Sequence, residues 1–154
     1  MGSHVVTDRE QSGVYFAVWA PSALRVSVVG DFNNWEKYSN KAYRITDGGI
    51  YECIIDGVKE FDAYKYLIIT ADGRELYKAD PYAYHCETRP GTASRVYNLD
   101  GYKWKDSKWV ENRQAPYNEP VSIYEMHLGS WRRYKDGNAF SYGKLADELI
   151  PYVK

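Results

Sequence analysis

From Gly13 to Leu99 the sequence is a succession of short runs of β-branched and aromatic residues, each interrupted by residues that favour turns. Such runs predict strands, because branched and flat side chains pack well on a pleated, half-buried surface. Short strands with turns between them at close intervals are typical of an antiparallel sandwich. The pattern therefore predicts a mainly β domain over residues 13–100 of this 154-residue chain.

The two earliest runs have clear ends. Residues 14–19 are β-branched and aromatic, and the run stops at Pro21 because proline cannot donate to a strand ladder. Residues 24–28 alternate between apolar and polar side chains, and Gly30 ends them. The alternation predicts that one face of this second strand carries Leu24, Val26 and Val28.

Turn sequences further along predict two hairpins and a closing strand. Thr-Asp-Gly-Gly separates residues 43–45 from residues 50–55, and Ala-Asp-Gly separates residues 62–69 from residues 75–78. Glycine after aspartate tolerates the positive φ that a tight hairpin requires. After a Pro-Gly turn, residues 94–99 are predicted to close the domain.

The composition changes after this domain. Residues 101–120 are rich in Lys, Asp, Asn and Pro, which is typical of a connector. Residues 121–128 then predict a strand, and Ser141 is placed to cap a helix. The apolar residues near one face of that helix are Leu145, Leu149, Ile150 and Val153. The helical pattern reaches Lys154 without a stop signal, which indicates a piece of a longer domain.

Charge and hydropathy exclude several classes of partner. Twenty basic and 21 acidic residues give a net charge of −1, so no overall field attracts nucleic acid or an anionic membrane. No apolar run is long enough for a membrane helix, and no secretory signal begins the chain, so we expect a cytoplasmic protein. Residues 1–12, which begin Met-Gly-Ser-His, are interpreted as a tag remnant and tail outside the fold.

The cysteines and histidines predict no metal site and no cofactor. Cys53 and Cys86 are too far apart for a Cys-x-x-Cys motif, so two reduced thiols are expected. His127 and Glu125 share one side of the predicted strand but lack a third ligand. Aromatic residues make up 16% of the chain, and their flat rings suit both a packed sandwich and the face of a sugar.

Three motifs carry a resemblance to a known family. Val18-Trp19-Ala20-Pro21 and Gly30-Asp31-Phe32-Asn33-Asn34-Trp35 resemble the paired hallmarks of the glycogen-binding-type module that precedes the barrel in branching and debranching enzymes. Residues 123–132 and 141–154 are similar to the first strand, loop and first helix of the barrel in bacterial glycogen branching enzymes of the α-amylase superfamily.

The resemblance implies an architecture. Residues 13–100 would form an immunoglobulin-like β-sandwich, residues 101–120 a linker, and residues 121–154 one truncated βα unit of a (β/α)8 barrel. The helix of that unit, residues 142–154, would expose an apolar stripe. We therefore expect this helix either to fold back on the sandwich or to associate with a second copy of itself.

The resemblance also implies a function. The parent would be a glycosyltransferase that cleaves α-1,4 links in glucan and forms α-1,6 branches, using an aspartate nucleophile and a glutamate acid/base. Those carboxylates lie on later barrel strands, so no catalytic residue is assigned in this chain. The chain itself is expected to bind α-glucan, as glycogen or maltooligosaccharide, weakly and without catalysis. The alternative is a docking sandwich that braces the barrel and binds no sugar.

Four residues are candidates for glucan contact. By resemblance, Trp35 would stack on a glucose ring and Lys65 would donate to sugar hydroxyls, although each also has a structural interpretation. Asn33 and Asn34 could bind hydroxyls, but asparagine in such a turn more often bonds its own backbone. An exposed Trp35 would favour sugar binding and a buried one would favour docking.

Two other tryptophan positions bear on the site. Trp19, at a strand end before Pro21, is expected in the core. In the better glycogen binders a second tryptophan follows the second hairpin, whereas here Asp72-Gly73 is followed by Arg74, Glu75 and Leu76. The sugar platform therefore lacks one wall, which predicts weak affinity.

Overall fold

The structure, a computed structural model, describes residues 1–7, 12–113 and 116–154. It contains two compact units, residues 1–103 and residues 104–154. The first unit is built from strands and the second from short helices and irregular segments. Within the described ranges, no helix is long and apolar enough to cross a membrane.

The first unit is a curled antiparallel sheet of nine strands. The strands are β1 (Gly2–Thr7), β2 (Ser12–Trp19), β3 (Ala23–Gly30), β4 (Lys41–Arg44), β5 (Ile50–Ile55), β6 (Ala63–Thr70), β7 (Glu75–Lys78), β8 (His85–Cys86) and β9 (Ser94–Arg95). Their order is β1-β2-β5-β4-β3-β6-β9-β8, with β7 also paired to β6. The prediction of a mainly β domain is confirmed.

Strand β4 joins the two halves of the sheet. One half contains β1, β2 and β5, and the other contains β3, β6, β7, β8 and β9. Its residues Tyr43 and Arg44 pair with β5, while Lys41 and Ala42 pair with β3. One short strand thus belongs to both halves, and the sheet curls around it. The apolar side chains of the two halves then share a single core.

Alternation along four central strands builds this core. Every second side chain of β2, β3, β5 and β6 is buried in one cluster, whose members include Val14, Phe16, Val18, Val26, Val28, Tyr51, Ile55, Tyr64 and Tyr66. The rings of Phe16 and Tyr64 meet edge to face with centroids 5.0 Å apart. The intervening residues of these strands face the opposite side of the sheet.

Both predicted hairpins are present. Strands β4 and β5 are joined through Gly49, whose φ is +87°, and β6 and β7 are joined through Gly73, whose φ is +81°. A Cβ on Gly49 would also lie 2.3 Å from the Cα of Pro21, so glycine is required there for space as well as for φ.

The prediction that Leu24 shares one face of the strand with Val26 and Val28 is wrong. The pairing of β3 with β6 shifts register between Ala23 and Arg25, which is the irregularity expected of a β-bulge. The bulge turns Leu24 outward, where it is 58% exposed, and Ala23 enters the core instead. The predictions for Val26 and Val28 hold.

The interpretation of residues 1–12 as a tail outside the fold is also wrong for the part that the structure describes. Gly2–Thr7 forms β1 and pairs with β2 over its whole length, and the Ser3 side chain is buried. Without β1, strand β2 would present an unpaired edge to solvent, so pairing satisfies its backbone groups. Residues 8–11 lie outside the described residues.

The closing strand is shorter than the predicted residues 94–99. Only Ser94–Arg95 forms a ladder, because the next residue pairs with a loop instead. Phe61 donates its backbone N–H to the carbonyl of Val96 at 2.8 Å, and Val96 donates to Asp62 at 3.0 Å.

The second unit contains three helices among its described residues: α1 (Ser107–Asn112), α2 (Leu128–Trp131) and α3 (Tyr142–Val153), with a 3-10 turn at Pro116–Asn118. The strand predicted for residues 121–128 is not formed, because no neighbouring strand among the described residues offers a ladder to it. Helix α1 lies inside the stretch predicted to be a plain connector.

Helix α3 begins where its cap was predicted. The Ser141 hydroxyl accepts a hydrogen bond from the backbone N–H of Lys144 at 3.3 Å. Of its apolar residues, Leu145 is buried, while Ile150 is 49% and Val153 is 51% exposed. The predicted stripe is therefore only partly covered within this unit.

A buried carboxylate ties the first unit together. Asp80 accepts hydrogen bonds from the hydroxyls of Tyr64 at 2.6 Å and Tyr66 at 3.3 Å, and from the backbone N–H of Tyr82 at 2.8 Å. Its own N–H donates to the Ser94 hydroxyl at 2.8 Å. Burial, and next the charge of Asp80, raise the pKa of both tyrosine hydroxyls, which therefore remain donors at neutral pH.

Replacing Asp80 should destabilise the first unit. Asp80→Ala removes the acceptor of the Tyr64 hydroxyl and of the Tyr82 backbone N–H, while the Tyr66 hydroxyl keeps the carbonyl of Ala17 at 3.2 Å. We therefore expect a loss of about 2–4 kcal/mol in the free energy of unfolding. Urea denaturation followed by circular dichroism measures this loss. Asp47→Ala, in an exposed hairpin turn, is the control and should change stability by less than about 0.5 kcal/mol. Equal effects of the two changes would contradict the role given to Asp80.

Candidate functional site

The loop that follows β3 displays a tryptophan. A 3-10 turn, Asp31–Asn33, follows the last residue of β3, and Asn34 and Trp35 then take left-handed backbone angles with φ of 51° and 61°. The backbone N–H of Trp35 closes the turn on the carbonyl of Gly30 at 2.9 Å. Left-handed angles are unfavourable for a bulky residue, so the surrounding contacts must hold Trp35 in place.

Asp31 is the residue that holds Trp35. Its Oδ1 accepts a hydrogen bond from the indole N–H of Trp35 at 3.0 Å, and its Oδ2 accepts from the backbone N–H of Ala63 in β6 at 2.8 Å. One carboxylate therefore fixes the indole and fastens it to the sheet. Trp35 is 37% exposed, and because its N–H is engaged, the exposed part of the ring is carbon surface.

The two asparagines of the loop differ in their roles. Asn33 Oδ1 accepts from the N–H of Gly30 at 2.9 Å, and Asn33 Nδ2 donates to the carbonyl of Val28 at 3.0 Å and to Asn40 Oδ1 at 2.7 Å. This amide is engaged in shaping the turn, so Asn33 positions the loop, and its part in sugar contact stays a prediction. Asn34 is exposed, and its part in sugar contact stays a prediction.

Lys65 lies at the same end of the sheet as Trp35. In β6 its neighbours Tyr64 and Tyr66 point into the core, so Lys65 faces the opposite side. Lys65 pairs with Val29, and the next pair, Tyr64 with Gly30, is the last one at this end of the ladder between β3 and β6. The Nζ of Lys65 donates to the hydroxyl of Thr92 at 2.7 Å, an uncharged partner 27 positions away that no local sequence pattern indicates.

The chain after Trp35 crosses onto the face that carries Lys65. Glu75 of β7 pairs with Ile69 of β6, which faces the same way as Lys65 by alternation. Lys37 and Tyr38 both donate to the Glu75 carboxylate, Tyr38 at 2.8 Å. These hydrogen bonds hold the pKa of the Glu75 carboxyl below its ordinary value.

Glu75 lies in the stretch where the better glycogen binders carry a second tryptophan. Here that stretch anchors the loop through a carboxylate and supplies no ring. This chain therefore has a carboxylate where those binders have a tryptophan. Glu75 fixes one end of the Trp35 loop, and Asp31 fixes the other.

Trp19 does not lie in the core, contrary to expectation. It is 63% exposed, because Phe16 and Val18 occupy the inward positions of β2 and the alternation turns Trp19 outward. Its indole N–H donates to the carbonyl of Gly48 at 2.8 Å, which ties the ring to the first hairpin turn.

No cluster of three or more metal-ligating side chains occurs in the part of the chain that the structure describes. The Nδ1 of His127 lies 3.1 Å from the Ser130 hydroxyl oxygen. The chemistry that the Trp35 region offers is stacking on a carbon surface together with hydrogen bonding from a nearby lysine.

This combination agrees with a match to a known family. The sequence profile of carbohydrate-binding module 48, also described as the isoamylase N-terminal domain, matches residues 1–83. The chain belongs to the carbohydrate-binding module 48 family. The matched residues include β1 through β7 and therefore both Trp35 and Lys65.

Curated relatives of this module-48 chain are 1,4-α-glucan branching enzymes. Those of Bacillus cereus strain AH187 and Bacillus anthracis are each 46% identical to it over 154 residues, covering 99% of this chain and 24% of the relative. The chain thus spans about a quarter of the length of these relatives. The resemblance to branching enzymes that the motifs indicated is confirmed.

Solved structures agree with the module-48 fold. A Salmonella typhimurium protein described as an alpha amylase aligns with 99% of this chain and 22% of its own, with a TM-score of 0.68 and 20% identity. A pullulanase from Anoxybacillus sp. LM18-11, in complex with maltotriose, aligns with 65% of this chain and 14% of its own, with a TM-score of 0.52 and 24% identity. At these identities the similarity is one of fold.

Removing the carboxylate of Asp31 should release the indole of Trp35. In Asp31→Ala the indole N–H and the Ala63 amide lose their shared acceptor, so we expect a destabilisation of about 1–2 kcal/mol. The indole N–H resonance of Trp35 in a ¹⁵N correlation spectrum should also move. Glu36→Ala, an exposed change in the same loop, should leave that resonance in place. An unmoved resonance in Asp31→Ala would contradict the contact.

Proposed function

We propose that this chain is the module of a glycogen branching enzyme that binds α-glucan, as glycogen or maltooligosaccharide. The observation that carries the proposal is the Trp35 indole, which is fixed by Asp31 and exposes carbon surface at the end of β3. A flat ring of this kind suits the C–H face of a glucose unit. Because the ring is already held in place, little conformational freedom is lost on binding.

Lys65 supplies the hydrogen-bonding part of the proposed site. Its ammonium group has three donors, and one of them meets the Thr92 hydroxyl. The remaining donors suit sugar hydroxyls, and the neutral partner leaves the lysine charge available to strengthen them. With one ring and one lysine, the expected affinity is weak, in the millimolar range or about −4 kcal/mol.

In the complete enzyme, the proposed architecture is an immunoglobulin-like sandwich at residues 13–100 and a linker at residues 101–120. Residues 121–154 would be the first strand and helix of a (β/α)8 barrel, in which residues 121–128 gain the neighbouring strands that they lack here. The parent would cut α-1,4 links and form α-1,6 branches in the cytoplasm. This chain would hold glucan and contribute no catalytic residue.

A bracing role without sugar binding is the second candidate function. It is favoured by the anchoring of the loop on Glu75 and by the engaged amide of Asn33, because these polar groups already bond within the protein. The exposure of Trp35 favours binding, because a purely docked module has no need of a fixed, exposed indole.

Isothermal titration calorimetry with maltoheptaose tests glucan binding. We expect saturable binding that weakens at least about tenfold in Trp35→Ala, since the ring supplies most of the contact surface. Trp19→Ala is the matched control, because it removes an indole that is also exposed and also hydrogen-bonded to a carbonyl or carboxylate oxygen. Absence of binding by the unmodified chain at millimolar sugar would leave the bracing role.

We also propose that helix α3 associates with a second copy when the chain is alone. Support comes from Ile150 and Val153, which lie about one turn apart and are each about half exposed. Multi-angle light scattering should then give a mass that rises with concentration. The double change Ile150→Glu with Val153→Glu should hold the mass at one chain. A constant single-chain mass for the unmodified protein would remove this proposal.

A further inference from the structure

Three aromatic rings meet on the surface of the first unit, away from Trp35 in sequence. The Phe61 ring meets His85 edge to face with centroids 5.5 Å apart and Tyr97 with centroids 5.7 Å apart. The rings of His85 and Tyr97 are stacked, with centroids 5.6 Å apart. We refer to these three residues as the Phe61 cluster. Phe61 is 48% exposed and His85 is exposed, so the cluster is open to solvent.

Phe61 is held in an unfavourable backbone conformation. Its φ is 70°, in the left-handed region that a residue with a bulky side chain rarely enters. Its N–H donates to the carbonyl of Val96 at 2.8 Å, and its carbonyl accepts from the Arg95 guanidinium at 2.7 Å. Burial of the ring does not compensate for this strain, because about half of Phe61 is exposed. A strained residue whose side chain is displayed to solvent points to a ligand site.

The Phe61 cluster lies on the same face of the sheet as Lys65. Ala63 faces the same way as Lys65 by alternation in β6, and Ala63 pairs with Arg95, which pairs in turn with His85. Arg95 and His85 therefore continue the Lys65 face across β9 and β8. The amide of Ala63 is also the group that Asp31 binds, so the Trp35 loop and the Phe61 cluster adjoin the same strand end.

Polar groups surround the rings in a way that suits a neutral, hydroxyl-rich ligand. The Arg95 guanidinium lies 3.7 Å from the Glu87 carboxylate, and the side chains are 33% and 27% exposed. Glu87 also accepts from the backbone N–H of Ala93 at 2.9 Å. A balanced pair of acid and base beside aromatic rings offers donors and acceptors together, whereas a phosphate or nucleic acid site needs an excess of positive charge.

We infer that the Phe61 cluster, with Arg95 and Glu87, is a second glucan subsite, which binds a further part of the chain whose first part rests on Trp35 and Lys65. The inference rests on the proposed glucan binding and extends it. It assigns Phe61 as the ring that stacks on sugar, with His85 and Tyr97 supporting it. A ligand long enough to reach both places gains from both, whereas a short one occupies the Trp35 region alone.

The test compares a short and a long ligand on four forms of the full chain: the unmodified chain, Trp35→Ala, Phe61→Gly and Tyr43→Ala. Phe61→Gly removes the ring and relieves the left-handed strain, so the variant should remain folded with an unchanged or higher midpoint of thermal unfolding. We expect its affinity for maltoheptaose to fall about threefold to tenfold, while its affinity for maltotriose stays the same. Tyr43→Ala, at a ring that is 72% exposed on β4, is the matched control and should change neither affinity.

The outcomes separate this inference from the function on which it rests. If Trp35→Ala loses binding while Phe61→Gly binds both ligands as tightly as the unmodified chain, the second subsite is overturned and glucan binding stands. If Phe61→Gly weakens both ligands equally, the ring belongs to the first site and the two-subsite arrangement is overturned. If the unmodified chain binds neither ligand, both proposals fail.

Discussion

The pairing of β3 with β6 is the interaction on which the rest of this structure depends. This ladder runs from Ala23 opposite Thr70 to Gly30 opposite Tyr64. Its inner side supplies Val26, Val28, Tyr64 and Tyr66 to the core, and its outer side carries Lys65. Because side chains alternate strictly along a strand, packing the tyrosines inward fixes the outward direction of the lysine. The stability of the core and the placement of the candidate site are therefore set by one register.

The same ladder explains why the exposed rings stand where they do. Trp35 follows the end of β3 and Phe61 precedes the start of β6, so both flank one end of the pair. Among the described residues, the non-glycine positions with positive φ are Asn34, Trp35 and Phe61. Two of the three are thus aromatic, exposed and next to the same ladder. In each case backbone hydrogen bonds hold the chain in a conformation that its own side chain disfavours.

Much of this arrangement could be read from local sequence, and the failures have identifiable causes. The two glycine hairpins and the Ser141 cap were predictable, because each depends on the conformational preferences of a few adjacent residues. Leu24, Trp19 and residues 121–128 were not. A bulge turned Leu24 outward. Which side chains of β2 point into the core, and hence the outward direction of Trp19, was decided by distant packing partners. Residues 121–128 have no neighbouring strand among the described residues. The part played by Asp31 was hidden for a similar reason, because its second acceptor oxygen binds a residue 32 positions away.

The binding proposed here is weak, and weakness is compatible with the role of a module inside a larger enzyme. A glucan held a short distance from a catalytic site experiences a high effective concentration, so each contact need contribute only a few kcal/mol. Tight binding at one ring would instead retain the product and slow its release. Two modest subsites on one face, one around Trp35 and one around Phe61, favour long chains over short ones without either subsite holding a chain strongly. A preference for length then follows from placing two groups of rings on one sheet face, because only a chain long enough to reach both gains contacts with both.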